Sequence, residues 1–258
     1  MESFKASQAS DWVVHGVPAF QDNYLWIIEH TPSRQCLLVD PGSAPDVLAW
    51  LRAHHLQCTG ILITHHHLDH IGGVEAILAT SDGEVPVFGT RTGRIAAVNQ
   101  AVDDGSIVTW QGLQIRVLGV PGHTRDHLAY AIEQTTAGER LPVPWLFCGD
   151  TLFSAGCGRL FEGTPADMFA SLQKINQMPE QTLVFCAHEY TESNLRFALS
   201  IEPDNPDIQN RMHEVQRVRT ANLSTIPTTL RIERQTNLFV RSKNANELRD
   251  LRLKKDQF

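Results

Sequence analysis

The segment Gly60-Ile61-Leu62-Ile63-Thr64-His65-His66-His67-Leu68-Asp69-His70 decides how this chain is read. Its opening apolar run is of the kind that forms a short buried strand, so the histidines fall in the loop at that strand's C-terminal end. Imidazoles and a carboxylate at this density would desolvate and repel one another in a core. A bound cation removes the conflict, because neutral imidazole and carboxylate are both good ligands for zinc-like metals. Histidines at i and i+2 cannot share a helix face, but in an extended loop they point the same way. His65 and His67 can therefore bind one ion while His66 points away. Asp69 and His70 are placed to bind a second ion beside the first.

The bulk properties narrow the class. A chain of 258 residues suffices for one large domain, or one domain with an appendage. Hydrophobic content of 42% and charged content of 20% are ordinary for a globular protein. A net charge of −7 argues against a partner held through phosphates. No apolar stretch approaches the roughly 20 residues needed to span a bilayer. The N-terminal MESFKASQASDW lacks the apolar core of a signal peptide. Cys36, Cys58, Cys148, Cys157 and Cys186 form no CxxC pair, and reduced thiols suit them better than a disulfide framework. The expectation is a cytoplasmic, monomeric protein with neither nucleic-acid nor membrane partner.

Short apolar or alternating runs predict strands at 12–17, 24–29 and 35–39. The turn Asp40-Pro41-Gly42 follows, and a helix opens at Pro45 and runs to about His54. After the strand 61–64 a second helix is expected from His70 to about Ala79. Gly72-Gly73 weakens its start, which suits close backbone approach more than helix stability. Residues 85–88 read as a strand, and 91–100 reads ambiguously, a short helix being one reading. Strands 106–110 and 113–120 flank Gln111-Gly112 as a hairpin. Strands 128–132 and 145–148 are separated by an exposed polar loop, 134–140. Thr164 caps a helix that Pro165 opens and that runs to about Gln177. After the strand 182–186, helices are expected at 191–200, 206–221 and 245–254, with 225–237 irregular. The domains implied are 1–188, β-rich and catalytic, and 189–258, helical and substrate-binding.

Three further ligand candidates stand after apolar strands: His123 in Pro121-Gly122-His123-Thr124, Asp150 in Cys148-Gly149-Asp150-Thr151, and His188 in Cys186-Ala187-His188-Glu189. Strands of one sheet can deliver their C-terminal ends to one edge. Together with the loop these residues imply a two-metal hydrolytic site, in which each ion keeps a position open for water. Bridging both ions is the economical role for the carboxylate of Asp150. His123, Asp150 or His188 alone would carry no weight, since a lone loop histidine is usually solvated. His15, His30, His66 and His213 are read as structural or surface residues. His127 is read as a possible hydrogen-bonding support for a ligand, and Asp40 equally as such a support or a turn cap. Cys157 has no general base beside it and is read as structural rather than nucleophilic.

At these residues the chain resembles the metallo-β-lactamase superfamily, whose motif is HxHxDH followed by distal His, Asp and His. Within it the chain is similar to the glyoxalase II (hydroxyacylglutathione hydrolase) family. Asp22-Asn23-Tyr24-Leu25-Trp26, Ala155-Gly156-Cys157-Gly158-Arg159, His188-Glu189-Tyr190-Thr191 and Lys255-Asp256-Gln257-Phe258 carry the narrower likeness. The resemblance implies an α+β, αββα sandwich with a C-terminal helical segment. It assigns His65, His67 and His123 to one metal, Asp69, His70 and His188 to the other, and Asp150 with a hydroxide as the bridge. The metals implied are two divalent ions per chain, zinc foremost, with iron or manganese as alternatives. The implied reaction is attack of that hydroxide on the thioester carbonyl of S-D-lactoylglutathione, giving glutathione and D-lactate, with Asp69 and Asp150 as the catalytic carboxylates.

For the glutathione moiety the resemblance points to Arg159, Tyr190, Arg252 and Lys255. Arg can hold a carboxylate through two parallel hydrogen bonds, which Lys cannot. Two departures from the family pattern touch the site. Phe161 stands where some members carry Tyr, and Asp126 stands where the family usually has Gly before the second His. Competing readings are another superfamily enzyme, such as a persulfide dioxygenase or lactonase, and a non-catalytic metal-binding protein on the same fold. Metals per chain separate the first, and seven intact ligand positions weigh against the second.

Overall fold

Residues 2–81 and 83–258 are described by the structure, a computed structural model. They group into two units, Glu2–Gly119 with Leu128–Gly149, and Val120–His127 with Asp150–Phe258.

The first unit is built on β1 (Phe4–Ala9), β2 (Trp12–Ala19), β3 (Asn23–His30) and β4 (Gln35–Val39). Helix α1 (Ala44–His54) and β5 (Gln57–Leu62) follow, then two short helices, α2 (Leu68–Ile71) and α3 (Val74–Leu78). The unit continues through β6 (Val87–Thr90), β7 (Gln100–Val102), β8 (Ile107–Trp110), β9 (Leu113–Gly119), β10 (Leu128–Thr135) and β11 (Arg140–Gly149). Strands β1 to β7 lie in chain order in one sheet. It is antiparallel as far as β4 and parallel from β4 to β7, as the α1 crossover between β4 and β5 requires. Strands β8 to β11 form an antiparallel meander.

The β3 sequence NYLWIIEH is buried almost throughout because both of its faces are covered. Leu25 and Ile27 pack with Val47, Trp50 and Leu51 of α1. The two sheets are tied across their inner faces by Tyr130 Oη donating to the Ile63 carbonyl at 2.7 Å, Trp110 Nε1 to Thr59 Oγ1 at 3.0 Å, and Trp145 Nε1 to Ser7 Oγ at 3.1 Å. Helix, sheet and sheet thus form successive layers of this unit.

Several expectations change here. Strand β1 carries a bulge between Lys5 and Ser7 and has only a weak alternation, which hid it in the sequence. The helix expected from His70 to Ala79 is broken in two at Gly72-Gly73. A Cβ on Gly73 would lie 2.4 Å from the Pro41 carbonyl, so the glycine serves backbone contact, as its sequence suggested. Residues 91–99 form turns instead of a helix, and Asn99 reaches back to accept from Val87 N–H at 2.8 Å. The polar loop 134–140 shrinks to 136–139, because β10 and β11 extend past the apolar residues.

The second unit contains the two-residue strands β12 (Leu152–Phe153) and β13 (Gly156–Cys157), α4 (Pro165–Ile175), β14 (Leu183–Cys186), α5 (Thr191–Ile201), α6 (Pro206–Thr220), β15 (Thr228–Thr229), α7 (Leu230–Thr236) and α8 (Ala245–Gln257). Thr164 and Asp167 form a reciprocal capping box ahead of Pro165. Asn205 and Asn244 cap α6 and α8. The stretch read as irregular, 225–237, holds β15, which pairs with β14, and α7, capped by Thr229. A helix that short has little intrinsic stability and is fixed by tertiary bonds. Fully buried Glu233 of α7 accepts from Ala155 N–H and Thr228 Oγ1, both at 2.8 Å. Asn237, just past α7, donates from Nδ2 to Glu233, Phe153 O and Gly156 O.

Candidate metal-binding clusters and the pocket of the helical unit

In the first unit the histidine loop is anchored by Asp40, which follows β4 with φ 49° and is 4% exposed. Its carboxylate accepts from Thr64 N–H at 2.7 Å, Thr64 Oγ1 at 2.6 Å and His70 Nδ1 at 2.9 Å. The lone pair of neutral His70 therefore sits on Nε2, which lies 3.5 Å from Asp69 Oδ2. Thr64 gives its hydroxyl proton to Asp40, so at 3.0 Å it accepts from His65 Nδ1–H and leaves the His65 lone pair on Nε2 as well. The His65 ring centroid is 4.0 Å from that of His70 and 4.6 Å from that of His67. Asn23 Nδ2 donates to Asp69 Oδ2 at 3.0 Å, tying the β2–β3 hairpin to the loop. Gly42 closes the arrangement, since a Cβ there would lie 1.7 Å from the Asp69 carbonyl. Buried imidazoles whose Nδ1 is held by a carboxylate or hydroxyl, with Nε2 presented beside an aspartate, are a donor set suited to a divalent ion. Asp40 thus orients the His70 ring, a candidate ligand, in addition to following the β4 strand as a turn residue.

In the second unit Asp150 has each carboxylate oxygen facing a different imidazole. Oδ2 lies 3.5 Å from His123 Nε2 and Oδ1 lies 3.4 Å from His188 Nε2. His123 Nδ1–H donates to the Arg159 carbonyl at 2.8 Å, which again presents Nε2. His127 supports the Asp150 backbone: its Nε2 accepts from Asp150 N–H at 3.2 Å, and its Nδ1–H faces Thr151 Oγ1 at 3.2 Å. The room needed near this carboxylate comes from Gly158, where a Cβ would stand 2.0 Å from the Asp150 carbonyl. Asp126 is not among the described residues with left-handed φ, so this position demands no glycine.

A cavity of about 460 Å³ opens beside this cluster, with His123, Asp150, Phe153, Phe161, Tyr190 and three cationic side chains in its wall. Lys255 Nζ donates to the Ser193 carbonyl at 3.0 Å. Burial, then the neighbouring Arg252 and Arg159, pushes its pKa down to about 8. Arg252, 6% exposed, gives Nη1 to the Cys157 carbonyl at 2.9 Å and pairs with Asp256 at 2.9 Å, so part of its fork is engaged in holding the loop. Arg159 is the more exposed cation and lies 3.7 Å from Asp256. The Tyr190 ring stacks on His188 with centroids 4.8 Å apart and planes 6° apart. Phe161, 63% exposed, sets its ring 5.2 Å from that of His123. Burial lifts the Cys157 thiol to about 11, which removes it as a nucleophile near neutrality.

Sequence reasoning missed the supports of the 153–157 loop. Glu233 and Asn237 hold it as described above, and Asn194 Nδ2 donates to the Ser154 carbonyl at 3.0 Å. No motif marks these residues, because each acts through backbone groups remote in sequence.

Comparison with known proteins places the chain among related sequences. The family model described as "Metallo-beta-lactamase superfamily" matches residues 19–88, and "Hydroxyacylglutathione hydrolase C-terminus" matches residues 189–258. A hydroxyacylglutathione hydrolase of Pseudomonas entomophila is 49% identical over 89% of this chain and 86% of its own length. One from Aeromonas hydrophila is 50% identical over 87% of this chain and 84% of its own. A crystal structure of ETHE1 from Myxococcus xanthus superposes with a TM-score of 0.66 at 24% identity, covering 92% of this chain and 90% of that one. That likeness shows the fold, an α+β metallo-β-lactamase sandwich with C-terminal helices.

Proposed function

The chain belongs to the hydroxyacylglutathione hydrolase family of the metallo-β-lactamase superfamily, and from that membership we propose that it hydrolyses S-D-lactoylglutathione and kindred 2-hydroxyacyl thioesters to glutathione and the free acid. One observation carries the substrate reading. The segment matched to the hydroxyacylglutathione hydrolase C-terminus supplies Tyr190, Arg252 and Lys255 to the cavity that also exposes His123 and Asp150.

The donor chemistry of both units supports divalent metal use. Two ions, zinc in the first instance with iron or manganese as alternatives, are our assignment. His65, His67 and His123 would hold one, Asp69, His70 and His188 the other, and Asp150 would bridge them. Such ions lower the pKa of bound water from about 15.7 to roughly 7 and polarise a carbonyl as Lewis acids. The remaining tasks belong to the chain. Asp40 and Thr64 keep the His70 and His65 rings turned with Nε2 forward, and the Arg159 carbonyl does the same for His123. Arg159 and Lys255, with the remaining valence of Arg252, attract the carboxylates of the glutathione moiety, and Tyr190 flanks it. The thiolate is a good leaving group and needs no strong acid, so no Ser–His–Asp triad is called for.

We assign the 189–258 segment as the substrate-binding part, and the protein as a cytoplasmic monomer without nucleic-acid or membrane partners. Among the described residues no helix is long and apolar enough to cross a membrane. The test is to measure metals per chain and S-D-lactoylglutathione hydrolysis on one preparation. Hydrolysis lost on chelation and restored by zinc is expected. A protein with two ions bound that leaves the thioester intact would sink the substrate reading and spare the metal assignment.

A further inference from the structure

Away from both clusters, in the first unit, a cavity of about 690 Å³ lies between the C-terminal half of α1 and the end of α3. Its wall includes Arg34, Arg52, His55, Leu56, Ser81 and, from β5, Cys58. Cys58 is the direct register partner of Cys36 on the neighbouring parallel strand β4. The pairing shifts immediately afterwards, between Cys36 and Leu37, so β5 carries an extra residue next to this pair. Both thiols are free and buried, 0% and 8% exposed. Both belong to the core cluster shared with Val47, Trp50 and Leu51 of α1, so they project from the same face of the sheet. Neighbouring strands run about 4.8 Å apart, inside the roughly 4.4–6.8 Å Cα separation that a disulfide accepts.

We propose that Cys36 and Cys58 are a thiol–disulfide site, at which a small anionic disulfide entering the α1–α3 cavity is reduced while the two cysteines close into a disulfide. The chemistry balances in two steps. The Cys58 thiolate attacks one sulfur of the incoming disulfide. The bond between its sulfurs breaks, one thiol departs with the proton Cys58 gave up, and Cys58 is left in a mixed disulfide. Cys36 then attacks the Cys58 sulfur, its proton leaves with the second small thiol, and the Cys36–Cys58 bond is made. Two protein thiols are oxidised and one small disulfide becomes two thiols.

The order of attack follows from position. Cys58 lines the cavity and Cys36 lies behind it, fully buried. The Cys36 thiol donates to the Cys58 sulfur, which pushes Cys36 up and draws Cys58 down, in the sense that favours Cys58 as the attacking thiolate. The cavity's arginines set the ligand class. Arg52 is exposed at the end of α1. Arg34 is already bound to Glu29 Oε1 at 2.6 Å, so Arg52 is the side chain better placed to meet a carboxylate.

The test uses the full chain with metal bound and glutathione disulfide as probe. After incubation the protein is denatured, alkylated without reduction and digested for mass spectrometry. The expected result is a peptide pair joined through Cys36 and Cys58, with Cys148, Cys157 and Cys186 alkylated. Cys36→Ser should instead accumulate one glutathione on Cys58, because the resolving thiol is gone. Arg52→Glu should slow oxidation by glutathione disulfide roughly tenfold and leave oxidation by neutral hydroxyethyl disulfide unchanged. Cys36 and Cys58 recovered fully alkylated in the wild-type chain would overturn the proposal, whether or not the variants fold. Equal rates for Arg52→Glu and wild type with both probes would overturn the anionic class of the ligand.

Discussion

Replacing Asp40 tests whether one buried carboxylate sets the geometry of the histidine loop. It accepts three hydrogen bonds at 2.6, 2.7 and 2.9 Å in a position 4% exposed. In Asp40→Ala these donors lose their acceptor, at about 1–3 kcal/mol for each buried group left unsatisfied. Water entering the gap recovers part of that, so a net loss of about 3–5 kcal/mol is expected. Alanine also disfavours the left-handed φ of 49°, which adds about 1 kcal/mol. Asparagine adopts that conformation readily and keeps an acceptor for Thr64, but it puts an N–H where His70 needs an oxygen. Asp40→Asn should therefore lose only about 1–2 kcal/mol of stability while metal affinity drops about 10- to 100-fold. Urea unfolding of the metal-free protein reads the first quantity, and competition against a chromophoric chelator reads the second. The reasoning is refuted if Asp40→Ala unfolds within about 0.5 kcal/mol of wild type, or if both variants keep wild-type metal affinity.

Other perturbations probe the remaining parts of the site. Lys255 titrates at about 8 and is a cation only below that value, so KM for a glutathione thioester should rise as pH passes from 7 to 9. Lys255→Met should flatten that profile, and an unchanged wild-type KM across the range removes Lys255 from the substrate contacts. Burial raises the Glu233 carboxyl above its ordinary 4.5, so the fold favours the protonated form and wild type loses stability as pH climbs from 4.5 through the raised value. Glu233→Gln has no such dependence, and its stability relative to wild type should improve over that window in thermal melts; a constant difference contradicts the buried titration. Gly42→Ala drives a Cβ to 1.7 Å from the Asp69 carbonyl and should displace the loop, giving substoichiometric metal in the purified protein by elemental analysis. A full metal complement would show that the loop yields without cost.

The parts of the fold legible in the sequence are those where one local signal decides. Buried runs such as 24–29 announce strands, and Thr164-Pro165 announces a helix start that the capping box bears out. The metal loop was legible because HxHxDH concentrates donors that a core would otherwise exclude. What stayed hidden depends on partners far away in the chain. Helix α7 reads as irregular until Glu233 finds Ala155, and β1 reads as a polar tail until it pairs with β2. Asp40 was undecidable from sequence, since a turn cap and a histidine support carry the same residue type. Only the 30-residue separation bridged by its bond to His70 distinguishes them.

The supports on the candidate ligand rings also bear on why residue types alone did not select the metal. His70 is backed by an anionic carboxylate, His65 by a hydroxyl and His123 by a neutral carbonyl. A carboxylate behind Nδ1 raises the basicity of Nε2 more than a carbonyl does, so these imidazoles are not equivalent donors although the sequence writes them alike. The proposed assignment sharpens that difference. One ion would receive three imidazoles and a share of Asp150, while the other would receive Asp69 in addition to His70, His188 and its share of Asp150. Imidazole-rich sets suit zinc and iron, and added carboxylate shifts a set toward harder ions such as manganese. On that assignment the two positions would be unequal donor sets, and metal preference would belong to each position separately.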